Sequence, residues 1–352
     1  MAVLLGLLTE ADLQGQRVTT VGVKQVFDSI RQSEIEHNRA LNALMGLFAM
    51  RTTDVTARYE LAGVTRSQPL DANGRARPIK PSGYYTVGYP IIGSGNAWGR
   101  NYRTSIKMTV AEVARLTATM LDGDSRWMRD HLLAALFYEN STTPLTFPDA
   151  TGDISVYGLA NGDTTTYQIM SGADSSATDD HVKGATAVTE AVFQDIHDEL
   201  VEHPENGSDV IAFIPTASRA TTEALTNFYP IKDVNLQSGS AVTELVRTLG
   251  IVTPGELIGY IAGVHVYVWA GMPANYIIGT TVGGVPALAM REDPEAELQG
   301  FNRVAERNDY PWYETQYARW CGFGAHNRVG SIVYRTDSAS YAIPSGFESP
   351  MP

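Results

Sequence analysis

His197, Glu199, Glu202 and His203 come nearest to a metal-ligating group in this chain. On a helix, Glu199 and His203 share one face, a turn apart. His197 is six positions from His203 and points elsewhere. That spacing predicts a solvated polar face, not a metal centre. Gly93-Ser-Gly95-Asn-Ala-Trp-Gly99 has the look of a dinucleotide-binding loop. It is one residue too long, and no helix follows to aim its amides at a phosphate, so it predicts a flexible loop. Asp122-Gly-Asp124-Ser125 lacks the ligand ladder and closing Glu of a calcium loop. The sequence contains no Walker motif and no Gly-x-Ser-x-Gly elbow.

Cys321 is the single cysteine, which excludes an intramolecular disulfide and a cysteine-based zinc site. Between Trp320 and Gly322 in an apolar run, it reads as a small buried hydrophobe. Asn140-Ser-Thr142 and Asn206-Gly-Ser208 fit the glycosylation pattern by chance in a chain that reads as non-secreted. Tyr84, Tyr85 and Tyr89 have faces on which bases stack, but no basic sheet face surrounds them, so packing is the better account. The residues give no catalytic, cofactor or metal assignment, and the chain reads as a non-enzyme.

Composition narrows the class further. With 43% hydrophobic and 18% charged residues, the 352-residue chain has ample apolar area to fold as one large domain or two modest ones. Ala2–Leu8 and Leu41–Met50 are its longest apolar stretches, far short of the roughly 20 residues of a membrane span. Ala2–Leu8 also lacks the flanks of a signal peptide, so a soluble, untargeted chain is expected. A net charge of −13 argues against wrapping nucleic acid. The charge is uneven. Residues 51–107 hold nine Lys/Arg against three Asp/Glu, and residues 140–210 hold Lys183 against thirteen acids. Adjacent windows of opposite sign predict a charged interface, within the chain or between copies.

The elements that would position these residues are irregularly mixed. Val23–Phe48 has helical periodicity, and the residues before it read as an extended arm. Asp54–Leu61 and Tyr84–Tyr89 alternate like strands around the Asn73-Gly74 turn signal. They predict a two-stranded excursion with its tip near Asn73–Lys80. Thr109-Val-Ala-Glu112 is a capping box opening a helix that runs to Glu139, with a bend or break at Asp122–Ser125. Its Trp127, Met128, Leu132 and Leu136 are expected to bury one face against a sheet. Further along come loops with a short hairpin (141–184), a helix (Ala185–His203), a strand (Asp209–Ile214) and a helix (Thr216–Leu225). Strands follow at Val264–Ala270, Tyr276–Thr280 and Val285–Met290. Tyr313–Cys321 and Arg328–Tyr334 read as two strands around a Gly322–Asn327 turn. With no regular βαβ rhythm, the class is α+β.

Arg319-Trp-Cys-Gly-Phe-Gly-Ala-His-Asn-Arg-Val-Gly-Ser-Ile-Val-Tyr334 resembles the closing segment of the major capsid proteins of tailed bacteriophages, which share the Hong Kong 97-type fold. The order of arm, hairpin excursion, long helix, mixed centre and returning strands is similar too. The resemblance implies an N-terminal arm and helix (1–54), an E-loop (55–104), a spine helix opening the peripheral domain (105–144), an axial domain (145–285) and the remaining peripheral domain with a tail (286–352). It also implies a structural protein that assembles with itself, as hexameric and pentameric capsomers, into an icosahedral virion shell. That shell would form in the host cytoplasm, with scaffold, portal and decoration proteins as further partners. It would enclose double-stranded DNA without sequence-specific binding, membrane or cofactor. A separate scaffold, or none, is expected. Arg75, Arg77, Lys80, Tyr84 and Tyr85 on the loop, and Glu292, Asp293, Glu295 and Glu297, are the intersubunit contact candidates. Lys80 is the loop's only lysine, but no residue-level motif supports the lysine–asparagine cross-link of some relatives. An encapsulin-like cargo compartment and a small-oligomer enzyme or binding protein remain open. Particle size and what co-purifies discriminate among the three.

Overall fold

The computed structural model describes residues 15–61, 69–76, 83–99, 102–139, 144–170, 179–231, 254–307 and 313–348. Two compact units form, each from three stretches of chain. Unit 1 gathers Met1–Ala43, Ile91–Asp130 and Glu292–Cys321. Unit 2 gathers Leu44–Pro90, His131–Arg291 and Gly322–Pro352.

In unit 1, Val23–Met45 forms a helix whose Val26, Phe27 and Ile30 are buried at helical spacing. They share a core with Trp98, Met108, Val113, Met120, Phe301, Tyr313 and Tyr317. The sequence before this helix is not wholly extended, because Val18–Val21 makes a helical turn closed by Gly22. Residues 1–14 lie outside the described part. Glu314–Ala325 is a 12-residue strand. It pairs antiparallel with Ile92–Gly99 over Glu314–Cys321 and with Asn302–Arg307 over Glu314–Ala318. The expected flexible glycine loop is therefore a strand, and its glycines make room. A Cβ on Gly93 would lie 2.4 Å from the Trp320 ring, and one on Gly95 3.2 Å from the Tyr317 carbonyl.

The long helix spans Val110–Phe137 without a break. Its 28 residues extend about 42 Å at ~1.5 Å each. The capping box forms as the sequence predicts. The Thr109 amide donates to Glu112 Oε2 (3.1 Å) and the Glu112 amide to Thr109 Oγ1 (3.3 Å). Gly123 does not interrupt the helix, because the cost of ~1 kcal/mol for one glycine is small beside that of unmaking a packed helix. Met128 is buried in unit 1, where Trp127 is half-buried. Every residue from His131 to Phe137, Leu132 and Leu136 included, is buried in unit 2.

Unit 2 is built on a seven-stranded sheet. Its strand order is Val182–Gly184, Ser331–Arg335, Tyr276–Val282, Asp209–Ile214, Val264–Val268, Glu256–Ile261 and Tyr229–Pro230. The Asp209–Ile214 strand runs parallel to Val264–Val268 and antiparallel to Tyr276–Val282. Both its faces are covered, so it reads as an unbroken apolar run. The helix Glu190–Val201 lays Val192, Phe193, Ile196 and Leu200 into this sheet's core. Ala49–Thr52 runs parallel to Leu288–Arg291. The hairpin expected within 141–184 is Leu145–Asp149 with Gly152–Val156.

The Gly322-Phe-Gly324 stretch is not a turn. The strand continues through it to Ala325, and the chain reverses at 326–330. Glycine serves close approach here, since a Cβ on Gly324 would lie 2.8 Å from the Gly88 carbonyl.

Candidate functional site

Thr56–Leu61 and Gly83–Gly88 pair antiparallel with Tyr59 opposite Tyr85. Successive strand residues face opposite ways, so Tyr84 and Tyr85 cannot share an environment. Tyr84 is 58% exposed, and the Arg58 guanidinium sits 3.6 Å above its ring centroid. Tyr85 is 7% exposed, stacks on Tyr59 at 4.9 Å and donates to the His326 carbonyl at 3.0 Å. Burial, then the nearby phenols, push its pKa far up. Tyr85 is thus an internal anchor of the hairpin and offers no surface to another subunit. With Val87 and Tyr89 it joins a core containing Ala160, Tyr167, Ala289 and Val329. The base of the excursion is therefore part of an intrachain core.

The excursion's turn holds itself together. Asp71 Oδ1 accepts from the amides of Asn73 and Arg75, both at 2.8 Å, and the Gly74 amide donates to the Asp71 carbonyl at 2.9 Å. Gly74 takes φ +73°, which glycine adopts without strain. Residues 69–76, Arg75 among them, are exposed throughout. Arg77 and Lys80 lie outside the described residues. The segment expected as one excursion, 55–104, divides at its end, because Ile92–Gly99 belongs to the unit 1 sheet.

The acidic run also splits. Glu292 is 2% exposed and accepts from the Gly300 amide at 3.1 Å, so it is no surface contact. Asp293 is half-buried and accepts from the Glu295 amide at 2.9 Å. Glu295 and Glu297 remain exposed.

Unit 1 contains a buried ionic cluster. Arg319 donates from Nε to Asp124 Oδ1 (2.8 Å) and from Nη2 to Oδ2 (2.7 Å). Its Nη2 also meets Asn38 Oδ1 at 3.0 Å, and His37 Nε2 meets Asp124 Oδ2 at 2.8 Å. Burial opposes ionisation of Asp124. The hydrogen bonds from His37 and Arg319, with the Arg319 charge, outweigh it and hold the carboxyl below its ordinary range. Nearby, Glu34 Oε1 accepts from Arg303 Nη2 (2.6 Å) and the Tyr317 hydroxyl (2.7 Å). Asp122-Gly-Asp124-Ser125 is therefore a helical turn carrying one partner of an ion pair, not an ion loop. Cys321 lies beside Met128, with the sulfurs 3.4 Å apart, and burial pushes its thiol pKa up to about 12.

In unit 2, Arg328 is encased. Its Nε donates to the Gly158 carbonyl (2.8 Å) and its Nη2 to the Leu159 carbonyl (3.2 Å), while Nη1 pairs with Asp163 Oδ2 at 2.5 Å. Asn206 donates to the carbonyls of Leu200 and Val329 and accepts from Asn327. Those bonds account for the Asn206 sequon as packing.

The histidine group differs from its expectation. His203 is not on a solvated face. It is 2% exposed and meets a residue that sequence spacing did not suggest, the fully buried His181, with Nε2 atoms 3.3 Å apart. Side-chain donor atoms of Asp179, Glu202 and His203 lie within 4.8 Å of one another. Glu199 instead joins Asp195 in pairing with Lys183, and His197 is half-buried beside Asp198. No sequence signal reaches His181, which comes from 22 residues upstream. Arg319 and Arg328 did carry a signal, as lone charges within an otherwise apolar segment.

No family model matches the sequence, and neither does any curated protein. Solved structures do resemble it. A protein of Mycobacterium phage Patience is 17% identical, with 99% of this chain and 98% of that one covered and a TM-score of 0.68. The capsid of Ralstonia phage GP4 is 12% identical over 86% and 88% of the chains, with a TM-score of 0.49. The holo-SrpI encapsulin complex from Synechococcus elongatus PCC 7942 is 11% identical over 85% and 88%, with a TM-score of 0.41.

Proposed function

We propose that this chain, whose α+β architecture is the Hong Kong 97-type fold, is the major capsid protein of a tailed bacteriophage. One observation carries the reading: the fold matches a phage protein end to end, with almost no residues left over on either side. The role is structural. Copies of the chain associate into hexameric and pentameric capsomers, and these close into an icosahedral shell around double-stranded DNA. Scaffold, portal and decoration proteins are the further partners, the site of assembly is the host cytoplasm, and the product is the virion.

On this reading the hairpin turn at 69–76 is the outer part of the E-loop, Val110–Phe137 is the spine helix, and the region 145–285 is the axial domain. The exposed tip carries Arg75 toward a neighbouring subunit, and Tyr84 with Arg58 offers an amphipathic patch below it. Glu295 and Glu297 are the acidic partners on that neighbour, since Glu292 is buried. The net charge of −13 suits an inner wall that does not adsorb the packaged genome.

Among the described residues, no helix is long and apolar enough to cross a membrane. The test is direct. The expressed chain, with and without the phage's other structural proteins, is sized by light scattering and imaged in negative stain. Capsomers or megadalton shells holding nuclease-protected DNA are the expected result. A protein that stays monomeric at every concentration and salt overturns the reading, and shells filled with a cargo enzyme in place of DNA convert it to an encapsulin.

A further inference from the structure

Two buried imidazoles in unit 2 face each other with the wrong ends for a hydrogen bond. His181 Nδ1 lies 3.1 Å from the Ser331 carbonyl, and His203 Nδ1 lies 2.9 Å from the Gln168 carbonyl. A carbonyl only accepts, so both Nδ1 atoms carry hydrogen. In a neutral imidazole the other nitrogen is then a bare lone pair. The two Nε2 atoms, 3.3 Å apart, are thus two acceptors pointed at each other. Burial, then His203, hold His181 well below its ordinary pKa, so its neutral form is the favoured one.

One species resolves this conflict for neutral rings. Two nitrogens each about 2.0–2.1 Å from a tetrahedral Zn2+ stand about 3.3–3.4 Å apart, which matches the observed gap. Orienting each ligating ring through an Nδ1–H···O=C bond is the usual support for a metal-bound histidine. Two carboxylates stand on the His203 side of the pair. Glu202 Oε1 is 3.9 Å from His203 Nε2, and Asp179 joins them within 4.8 Å. Burial, with the carboxylates of Glu199 and Asp179, raises the Glu202 pKa, a strain that a cation relieves. The nearby cations Lys183 and Arg328 are each engaged by their own carboxylates.

We infer that His181, His203, Asp179 and Glu202 form a binding site for a first-row divalent cation of the Zn2+ type. The ion would join two parts of unit 2 that the chain does not connect locally. His181 is fixed in the sheet, its amide donating to the Ala160 carbonyl and its carbonyl accepting from the Val333 amide. Glu202 and His203 end the Glu190–Val201 helix. The role is structural, since the ion would sit between two imidazoles that are 0% and 2% exposed, closed off from any substrate.

The full-length chain, stripped with EDTA and exchanged into pH 7.5 buffer, is titrated with ZnCl2 and its bound metal is counted after gel filtration. Expected are one equivalent of Zn2+ per chain and an upward shift of the thermal midpoint. CoCl2 should give the intense visible absorption of a tetrahedral site. Glu202→Gln, at a half-buried position that tolerates an isostere, should weaken Zn2+ by at least about tenfold, and His203→Gln should abolish the cobalt band. The cobalt band and stoichiometry of the unaltered chain decide the matter if His203→Gln does not fold. Less than a tenth of an equivalent bound, or equal affinity in the chain and its Glu202→Gln variant, overturns the inference. So does a chain whose thermal midpoint is indifferent to Zn2+ and Co2+.

Discussion

Arg319 and Asp124 meet through two parallel hydrogen bonds, with side chains 1% and 0% exposed, although 195 residues separate them in sequence. The bidentate geometry suits guanidinium and not ammonium, so lysine would not replace it. Taking one partner away leaves the other charge buried. Asp124→Asn should therefore cost about 3–5 kcal/mol, read as a lowered urea midpoint. A loss within ~0.5 kcal/mol of zero would mean that water reaches Arg319.

The same pair sets an acid limit. The Asp124 carboxyl is held below its ordinary range, so its stabilisation is fully present above about pH 4. It is lost as pH falls through the lower folded value. Emission from the buried Trp98 should report a unit 1 transition in acid whose steepness falls in Asp124→Asn. An identical acid profile in both proteins would contradict this linkage.

Leu132 is buried where the long helix is covered on all sides. Leu132→Ala removes three carbons with no exposed side to collapse onto, and should cost about 2–5 kcal/mol. Soluble yield and calorimetry measure it. A fully soluble variant of unchanged midpoint would show that the site repacks.

With its thiol pKa pushed up to about 12, Cys321 holds almost no thiolate at neutral pH. It should resist a disulfide reagent at pH 8 in the native protein and react at once in denaturant. Rapid native labelling would mean that the strand opens around it.

Arg75 sits on an exposed turn whose backbone is closed by Asp71, so reversing its charge should leave the hairpin intact. A single exposed pair is worth about 0–1 kcal/mol, but in the proposed shell it would recur in every subunit. Arg75→Glu should weaken assembly at low salt, and added salt should narrow the gap to the unaltered chain. Equal shell yield at low salt would leave the charge asymmetry as solvated surface.

The elements legible in the sequence are those whose signal is local. The Thr109–Glu112 box, the Asn73-Gly74 turn and the apolar run of Asp209–Ile214 each declare themselves within a few residues. Glu256–Ile261 and Asn302–Arg307 were not seen, because their pairing partners, not their own alternation, make them strands. Gly93–Gly99 was misread for a related reason. Glycines that make room for Trp320 and the Tyr317 backbone look, in one dimension, like glycines that confer flexibility. Of the surface residues, Tyr84 and Tyr85 could not be told apart without knowing which face of the hairpin is covered. The histidine pair was invisible, since helical spacing tests only neighbours on one element, and His181 comes from another.

Unit 1 draws its chain from three separated stretches, the last ending at Cys321. On the ribosome, Asp124 emerges long before Arg319, and Glu34 waits for Arg303 across 269 residues. At about 5–20 residues per second, the 195 residues between Asp124 and Arg319 take roughly 10–40 s to make. A nascent chain therefore cannot complete this unit until Cys321 has been made. Synthesis itself acts as a timer, keeping each polypeptide without a finished unit 1 until that point is passed.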